Sequence, residues 1–185
     1  EPCIGDQMEF TGGIGPLING EAATAIRRYV AAARARGSLA FESPSNMPRK
    51  GNFVAPAIVN IEHIDELEGE VFGPVLHVRT FAAESMSEIC EEINAAGYGL
   101  TLGIHSRINH RIDFISKRVR VGNVYVNRNT IGAVVESQPF GGVANSGTGP
   151  EAGGPNYVTG FATEHCLTVN TAALGGNAAL LSLEE

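Results

Sequence analysis

Apolar residues recur three and four apart in three stretches of the chain, and each stretch reads as an amphipathic helix. In the first, Ile26, Tyr29, Val30 and Ala33 share one face, while Arg27, Arg28, Arg34 and Arg36 fall mainly around the rest. Asn19 or Gly20 can cap its start, and Gly37 stops it. A second helix begins near Ser85, where Glu88 three residues on makes a capping-box pattern. Met86, Ile89, Cys90 and Ile93 form its apolar stripe, and Gly97 ends it. A third spans about 109–121, with Ile108, Ile112, Ile115 and Val119 at helical spacing and Gly122 closing it.

Strand-like segments lie between these helices. Phe53 to Ile61 is interrupted by Pro56, which places it at a sheet edge or puts the proline at the strand's start. Val75 to Phe81 puts Leu76, Val78 and Thr80 on one side and Val75, His77, Arg79 and Phe81 on the other. Leu100 to His105 and Val124 to Val126 are shorter strands, and Leu167 to Thr171 is a last one before a small-residue tail. Residues 42–52 carry prolines, a glycine and polar side chains and read as a loop. Helix alternating with strand predicts an α/β fold, a mostly parallel sheet with flanking helices. Beyond residue 131 glycine dominates, which predicts backbone-shaped loops. There is no internal repeat.

Composition narrows the classes of partner. With 185 residues and 43% hydrophobic content the chain can bury a sizeable core. A net charge of -7 without a basic stripe argues against nucleic acid. No apolar run approaches the about 18 residues that span a bilayer. The opening residues lack the basic-then-apolar order of a secretory signal. Cys3, Cys90 and Cys166 are odd in number and far apart, which is no disulfide framework and fits a reducing, cytoplasmic setting. The histidines are scattered with no ligand-like spacing, so no metal site is expected. The chain opens without Met on a turn-like Ile4-Gly5-Asp6, which suggests a segment of a longer polypeptide.

Two stretches carry candidate chemistry. Glu70-Val71-Phe72-Gly73-Pro74-Val75 reads as a turn that presents a carboxylate beside an aromatic ring. A carboxylate can accept two hydroxyl donors, as a ribose diol offers, and Gly73 and Pro74 set the turn. The alternative reading makes Glu70 one of the solvated carboxylates Glu62, Asp65, Glu66 and Glu68, with Phe72 in the core. In the glycine-rich stretch 127–149, Gly132-Ala133 can aim backbone N–H groups at an anion and Phe140 can wall a pocket. The alternative there is a turn-rich surface loop. Cys90 sits on an apolar stripe and reads as a buried structural thiol. His165 and Cys166 are strand neighbours facing opposite ways, Cys3 has no base in view, and Ser146 lacks the nucleophile-elbow pattern.

Together these blocks resemble the aldehyde dehydrogenase superfamily. Gly15-Pro16, Phe53-x-x-Pro56, the Glu70–Val75 run, Gly97-Tyr98-Gly99-Leu100, Gly122-x-Val124-x-Val126-Asn127, Pro139-Phe140-Gly141-Gly142 and Ser146-Gly147 occur in that family's order. Asn127-Arg128-Asn129, Gln138 to Gly142, Ser146 to Pro150, Ala152 to Pro155 and the tail from Val169 to Ala178 resemble the C-terminal part of the bifunctional proline utilization A enzymes. Those join a flavin-dependent proline dehydrogenase to an L-glutamate γ-semialdehyde dehydrogenase. The resemblance implies an incomplete aldehyde-dehydrogenase-like catalytic domain over 1–160, followed by a strand and tail over 161–185 for oligomerisation or as a lid. It implies NAD as cofactor, with FAD confined to the proline dehydrogenase part. The implied partners are the semialdehyde, the rest of the parent polypeptide and further copies in a homo-oligomer.

By resemblance, Glu70 would hold the nicotinamide-ribose hydroxyls with Phe72 packed beside them. Gly132 and Ala133 would offer N–H groups to the substrate α-carboxylate, and Phe140 would flank its aliphatic part. In the family a cysteine attacks the aldehyde, hydride passes to NAD+, and glutamate-activated water releases the acid. Neither that cysteine nor that glutamate has a matching motif in this chain; both, with the dinucleotide-binding domain, would lie before Glu1, so the chain alone would be inactive. Val143-Ala144-Asn145 departs from the closer family's pattern, and Glu136 puts a charge into the implied substrate loop. A non-catalytic assembly or lid module, and an aldehyde dehydrogenase of other specificity, are the alternatives.

Overall fold

The computed structural model describes residues 4–5, 13–44, 47–48, 50–131 and 138–170. The first layer is a helix on a sheet. Helix α1 spans Gly20–Ala35, and the Asn19 side chain caps it by accepting from the Ala22 N–H at 2.8 Å. Gly37, at φ +76°, turns the chain out of the helix in a conformation that costs glycine little. Ala23, Ile26, Val30 and Ala33 are buried, the expected three-four stripe.

That stripe covers a sheet of β1 (Leu39–Glu42), β2 (Ala57–Asn60) and β3 (Val75–Val78) in that order. β1 runs antiparallel to β2, and β2 parallel to β3. The strand expected from Phe53 pairs only from Ala57. Phe53 and Val54 are buried without entering the ladder, and Pro56, with no N–H to give, sits just before it. Its carbonyl still accepts from the Ser43 N–H at 2.8 Å. β2 and β3 are joined by residues 61–74, which form a 3-10 turn at Ile64–Glu66 in place of a helix.

A second group begins at α2 (Met86–Ala95), which buries Ile89 and Cys90. The expected capping box at Ser85 and Glu88 does not form. Ser85 already belongs to a 3-10 turn, Ala83–Ser85, and its side chain makes no cap bond. After Gly97, at φ +77°, come β4 (Tyr98–Gly99), β5 (Thr101–Ile104), α3 (Asn109–Arg118) and β6 (Asn123–Val126). β5 and β6 pair in parallel around α3, as the alternation predicts. Helix α3 stops at Arg118, short of the expected 121, because Val119 is extended and buried.

The glycine-rich region holds structure that the sequence pattern conceals. β7 (Phe140–Ala144) and β8 (Gly149–Ala152) form an antiparallel hairpin, and β7 also pairs antiparallel with β4. Parallel pairing therefore belongs to the helix-rich part and antiparallel pairing to the glycine-rich part and β1. A 3-10 turn at Val158–Phe161 follows. The residues of the expected last strand that are described, 167–170, make no ladder among the described residues.

Candidate functional site

The connection between β2 and β3 builds the candidate site. Val71 packs against the α1 core, while its neighbours Glu70 and Phe72 are exposed. The Gly73 N–H donates to the Val71 carbonyl and the Val75 N–H to the Gly73 carbonyl, both at 2.8 Å, which tightens the turn. A Cβ at position 73 would lie 2.8 Å from the Ile26 side chain, so a larger residue there would have to displace that buried side chain. Glu70 is exposed, and Phe72 keeps 75% of its surface accessible. Among the described residues Phe72 is therefore outside any core, while Glu70 is exposed as both readings of this turn expect.

Both residues line a groove of 370 Å³ whose walls include Ile64, Leu67, His77 and Tyr98. Glu70 and Tyr98 also border a second groove of 420 Å³, which reaches Thr101, Asn145 and Ser146. Among the described residues Glu70 has no hydrogen-bond or ion-pair partner, so its oxygens are free to accept from a ligand.

The groove walls are themselves held. Tyr29 Oη and His77 Nε2 lie 2.8 Å apart, with their rings edge to face, which joins α1 to β3. Burial pushes the His77 pKa below its usual value and the Tyr29 pKa above its own. On α2, Glu92 pairs with Arg79, the residue after β3, and accepts from the Ile64 N–H of the connection. His63 Nδ1 lies 3.8 Å from the same carboxylate. The Arg79 hydrogen bond holds the Glu92 carboxyl below the usual range. Glu66 accepts from the Glu62 and His63 N–H groups at 2.6 and 2.8 Å, and these bonds, the His63 one first, lower its pKa too. Two of the five carboxylates in the acidic run 62–70 are thus separated by role, Glu66 tied to the backbone and Glu70 open.

Phe140 lies elsewhere. It begins β7 and borders a smaller pocket of 230 Å³ with Gly122, Pro139, Gly154 and Pro155, sharing neither groove with Glu70. Gly132, Ala133 and Glu136 fall outside the described residues, as does Cys3. Cys90 is 2% exposed, and burial raises its thiol pKa, as a structural thiol requires. Cys166 is exposed, with Sγ 3.6 Å from Thr168 Oγ1. Ser146 Oγ accepts from the Gly99 N–H at 3.0 Å and so braces the β4 edge.

The sequence pattern did not single out Tyr98 or His77. Tyr98 carried a signal only within the Gly97–Leu100 block; His77 had none beyond facing the same side of β3 as Val75. Among the described residues no group of three His, Cys, Asp or Glu side chains is placed to hold a metal, and no helix is long and apolar enough to cross a membrane.

The aldehyde dehydrogenase family matches residues 2–165. Bifunctional protein PutA of Klebsiella aerogenes is 45% identical over 161 residues, covering 84% of this chain and 12% of that protein. A solved mutant of proline utilization A from Bradyrhizobium japonicum is similar with a TM-score of 0.84 and 48% identity, over 94% of this chain and 18% of that one. A 1-pyrroline-5-carboxylate dehydrogenase from Thermus, solved with bound NAD, is similar with a TM-score of 0.71 and 30% identity, over 82% of this chain and 29% of that one. The chain thus spans a small fraction of the length of the relatives it matches.

Proposed function

The chain belongs to the aldehyde dehydrogenase family, and on that premise we propose that it is the C-terminal segment of an NAD-dependent L-glutamate γ-semialdehyde dehydrogenase of proline catabolism. The observation that carries this reading is the 45% identity to a PutA protein across 84% of the chain. Likeness to a 1-pyrroline-5-carboxylate dehydrogenase solved with NAD supports the cofactor.

The residues present fit that cofactor on one side. Glu70 is exposed and unpaired among the described residues, and Phe72 offers an open aromatic face on the same turn. A ribose diol would donate both hydroxyls to the Glu70 carboxylate while the Phe72 ring limits how the sugar can tilt. The Glu92–Arg79–Ile64 contacts and the Tyr29–His77 pair hold the surrounding walls, so the carboxylate meets its partner without reordering the loop. NAD, when bound, supplies the hydride acceptor. On the substrate side, Gly132 and Ala133 would hold the α-carboxylate and Phe140 the aliphatic part. The nucleophilic cysteine and the water-activating glutamate come from other parts of the parent polypeptide, so the 185-residue chain alone is inactive.

The test is made in that parent polypeptide. Glu70→Gln should raise the KM for NAD+ about tenfold, the loss of one charge-assisted acceptor, and leave the KM for the semialdehyde within about twofold. An unchanged KM for NAD+ sinks the cofactor assignment. NADH production from the semialdehyde by the 185-residue chain alone sinks the reading of it as an inactive segment. A second reading makes residues 161–185 an assembly or lid element, favoured by the exposure of Leu167 and Val169 at 78% and 61%. Sedimentation with and without 167–185 tests it, an unchanged oligomeric state removing the idea.

A further inference from the structure

The β7–β8 hairpin carries Phe140 yet buries almost nothing of its own, so something else must fix where the ring points. Asn123, on β6, is 6% exposed. Its Nδ2 donates to the Leu100 carbonyl and to the Gly141 carbonyl, each at 2.8 Å, so both amide hydrogens are used. Its own backbone N–H also donates to Leu100, at 3.0 Å. One side chain therefore ties the residue before β5 to the residue that follows Phe140 in β7.

The backbones meet closely at this point. A Cβ on Gly122 would lie 1.7 Å from the Gly141 oxygen, and a Cβ on Gly141 would lie 2.0 Å from the Gly149 oxygen. The ladder is irregular here as well. Phe140 pairs with Ala152 but Gly141 pairs with Pro150, so β8 carries an extra residue, Glu151. Its carboxylate returns to accept from the Gly142 N–H at 3.3 Å. The extra residue bends β8 and breaks the regular ladder to β7 at Phe140 and Gly141. The Asn123 bond falls on Gly141, the β7 residue at that break and the neighbour of Phe140.

We infer that Asn123 is a positioning residue that sets the direction of Phe140 through the Gly141 carbonyl, and so tunes affinity for the aliphatic part of the aldehyde substrate. This rests on the reading of Phe140 as a substrate contact. Asn123 touches no substrate itself. Aspartate cannot replace it, because a buried carboxylate would face two carbonyl oxygens with nothing to donate. Threonine or serine keeps one donor and can satisfy only one of the two carbonyls at a time.

The experiment uses the parent enzyme. Asn123→Thr should raise the KM for glutamate γ-semialdehyde about tenfold, while the KM for NAD+ stays within about twofold. Asn123→Gln, which restores two donors on a longer arm, should recover part of that loss. A rise in both KM values, or in neither, overturns the inference, since a general loosening would not discriminate between substrates. The wild type supplies a check that no misfolded variant can spoil. Peptides 138–152 and 121–127 should exchange amide hydrogens at similar protection, because one side chain locks both. A hairpin exchanging more than about tenfold faster than β6 overturns the clamp. Absence of semialdehyde turnover by the wild type would instead sink the proposed function, and the exchange result would still decide the clamp.

Discussion

Helix α1 and its sheet bury Ala23, Ile26, Val30, Val54 and Ala57 against one another, whereas in the β7–β8 hairpin only Gly142 is fully buried. The first region is held by side-chain area. Each buried Val or Ile contributes about 1.5–3 kcal/mol by leaving water, and no single contact decides the fold. The second is held by backbone proximity, at Gly122 against Gly141 and Gly141 against Gly149, with Asn123, Ser146 and Glu151 bonding to main-chain groups. An apolar core gives way gradually when one residue shrinks, but a junction of two backbones has no slack when one residue grows. The two candidate contacts divide along the same line. Glu70 and Phe72 stand on a turn anchored by the core through Val71, while Phe140 stands on the glycine junction.

The comparison breaks most visibly at Gly122. Gly122→Ala places a methyl group 1.7 Å from a carbonyl oxygen that cannot step aside without moving the hairpin. The expected cost is about 3 kcal/mol or more, as for a severe overpacking. Val30→Ala, which empties part of the α1 core, should cost about 2–3 kcal/mol. The sharper readout is local. Hydrogen exchange of the parent protein should show Gly122→Ala stripping protection from 138–152 and sparing 20–35, and Val30→Ala the reverse. If either variant loosens both regions equally, they are one cooperative unit and the distinction between their supports is lost.

This contrast also explains what could be read from the sequence. The α1 stripe, the Asn19 cap and the stop at Gly37 follow from spacing and residue type alone, because each records a local preference. The parallel β5–β6 pair with α3 between them was legible for the same reason. The hairpin was not. Phe140 to Ala144 contains two glycines and little alternation, and its placement depends on close backbone approaches to Gly122, well before it, and to Gly149 on the returning strand. At the site, the tight turn at Gly73 and the open carboxylate of Glu70 were readable. The His77–Tyr29 bond was not, since it spans 48 residues and leaves no mark on either neighbourhood. The missing cap at Ser85 is a local signal overridden by the preceding 3-10 turn.

A smaller effect separates the regions by pH. Burial holds His77 below its ordinary value near 6.5, so the folded protein favours the neutral ring while the unfolded chain takes up a proton first. The unfolded state then binds more protons, and stability falls as pH drops below about 6.5 toward the depressed folded value. The loss should appear in the α1–β3 seam, where Tyr29 meets the ring, with Arg36 and Glu66 the charged groups that act on Tyr29 there. Protection of 20–35 and 75–78, corrected for intrinsic exchange, should fall between pH 7 and pH 5 more than that of 138–152. His77→Gln should remove the difference. A fall of equal size in that variant assigns the dependence to other groups.

The smallest expected change lies between the two regions, at Tyr125 in the middle of β6. Its ring is 7% exposed and carries the Arg128 guanidinium 4.4 Å from its centre, but its Oη is buried without a partner among the described residues. A buried hydroxyl left unsatisfied costs about 1–3 kcal/mol in desolvation, while the ring's packing and its cation contact do not need the oxygen. Tyr125→Phe should therefore be neutral or stabilising by up to about 1 kcal/mol in denaturant unfolding. β6 would then be held as the α1 layer is, by its apolar face, and Asn123 two residues earlier would be the one polar side chain on that face whose loss matters. Destabilisation by more than about 1 kcal/mol would show instead that the Tyr125 hydroxyl is bonded in the intact protein, and that β6 shares the hairpin's dependence on polar contacts along its whole length.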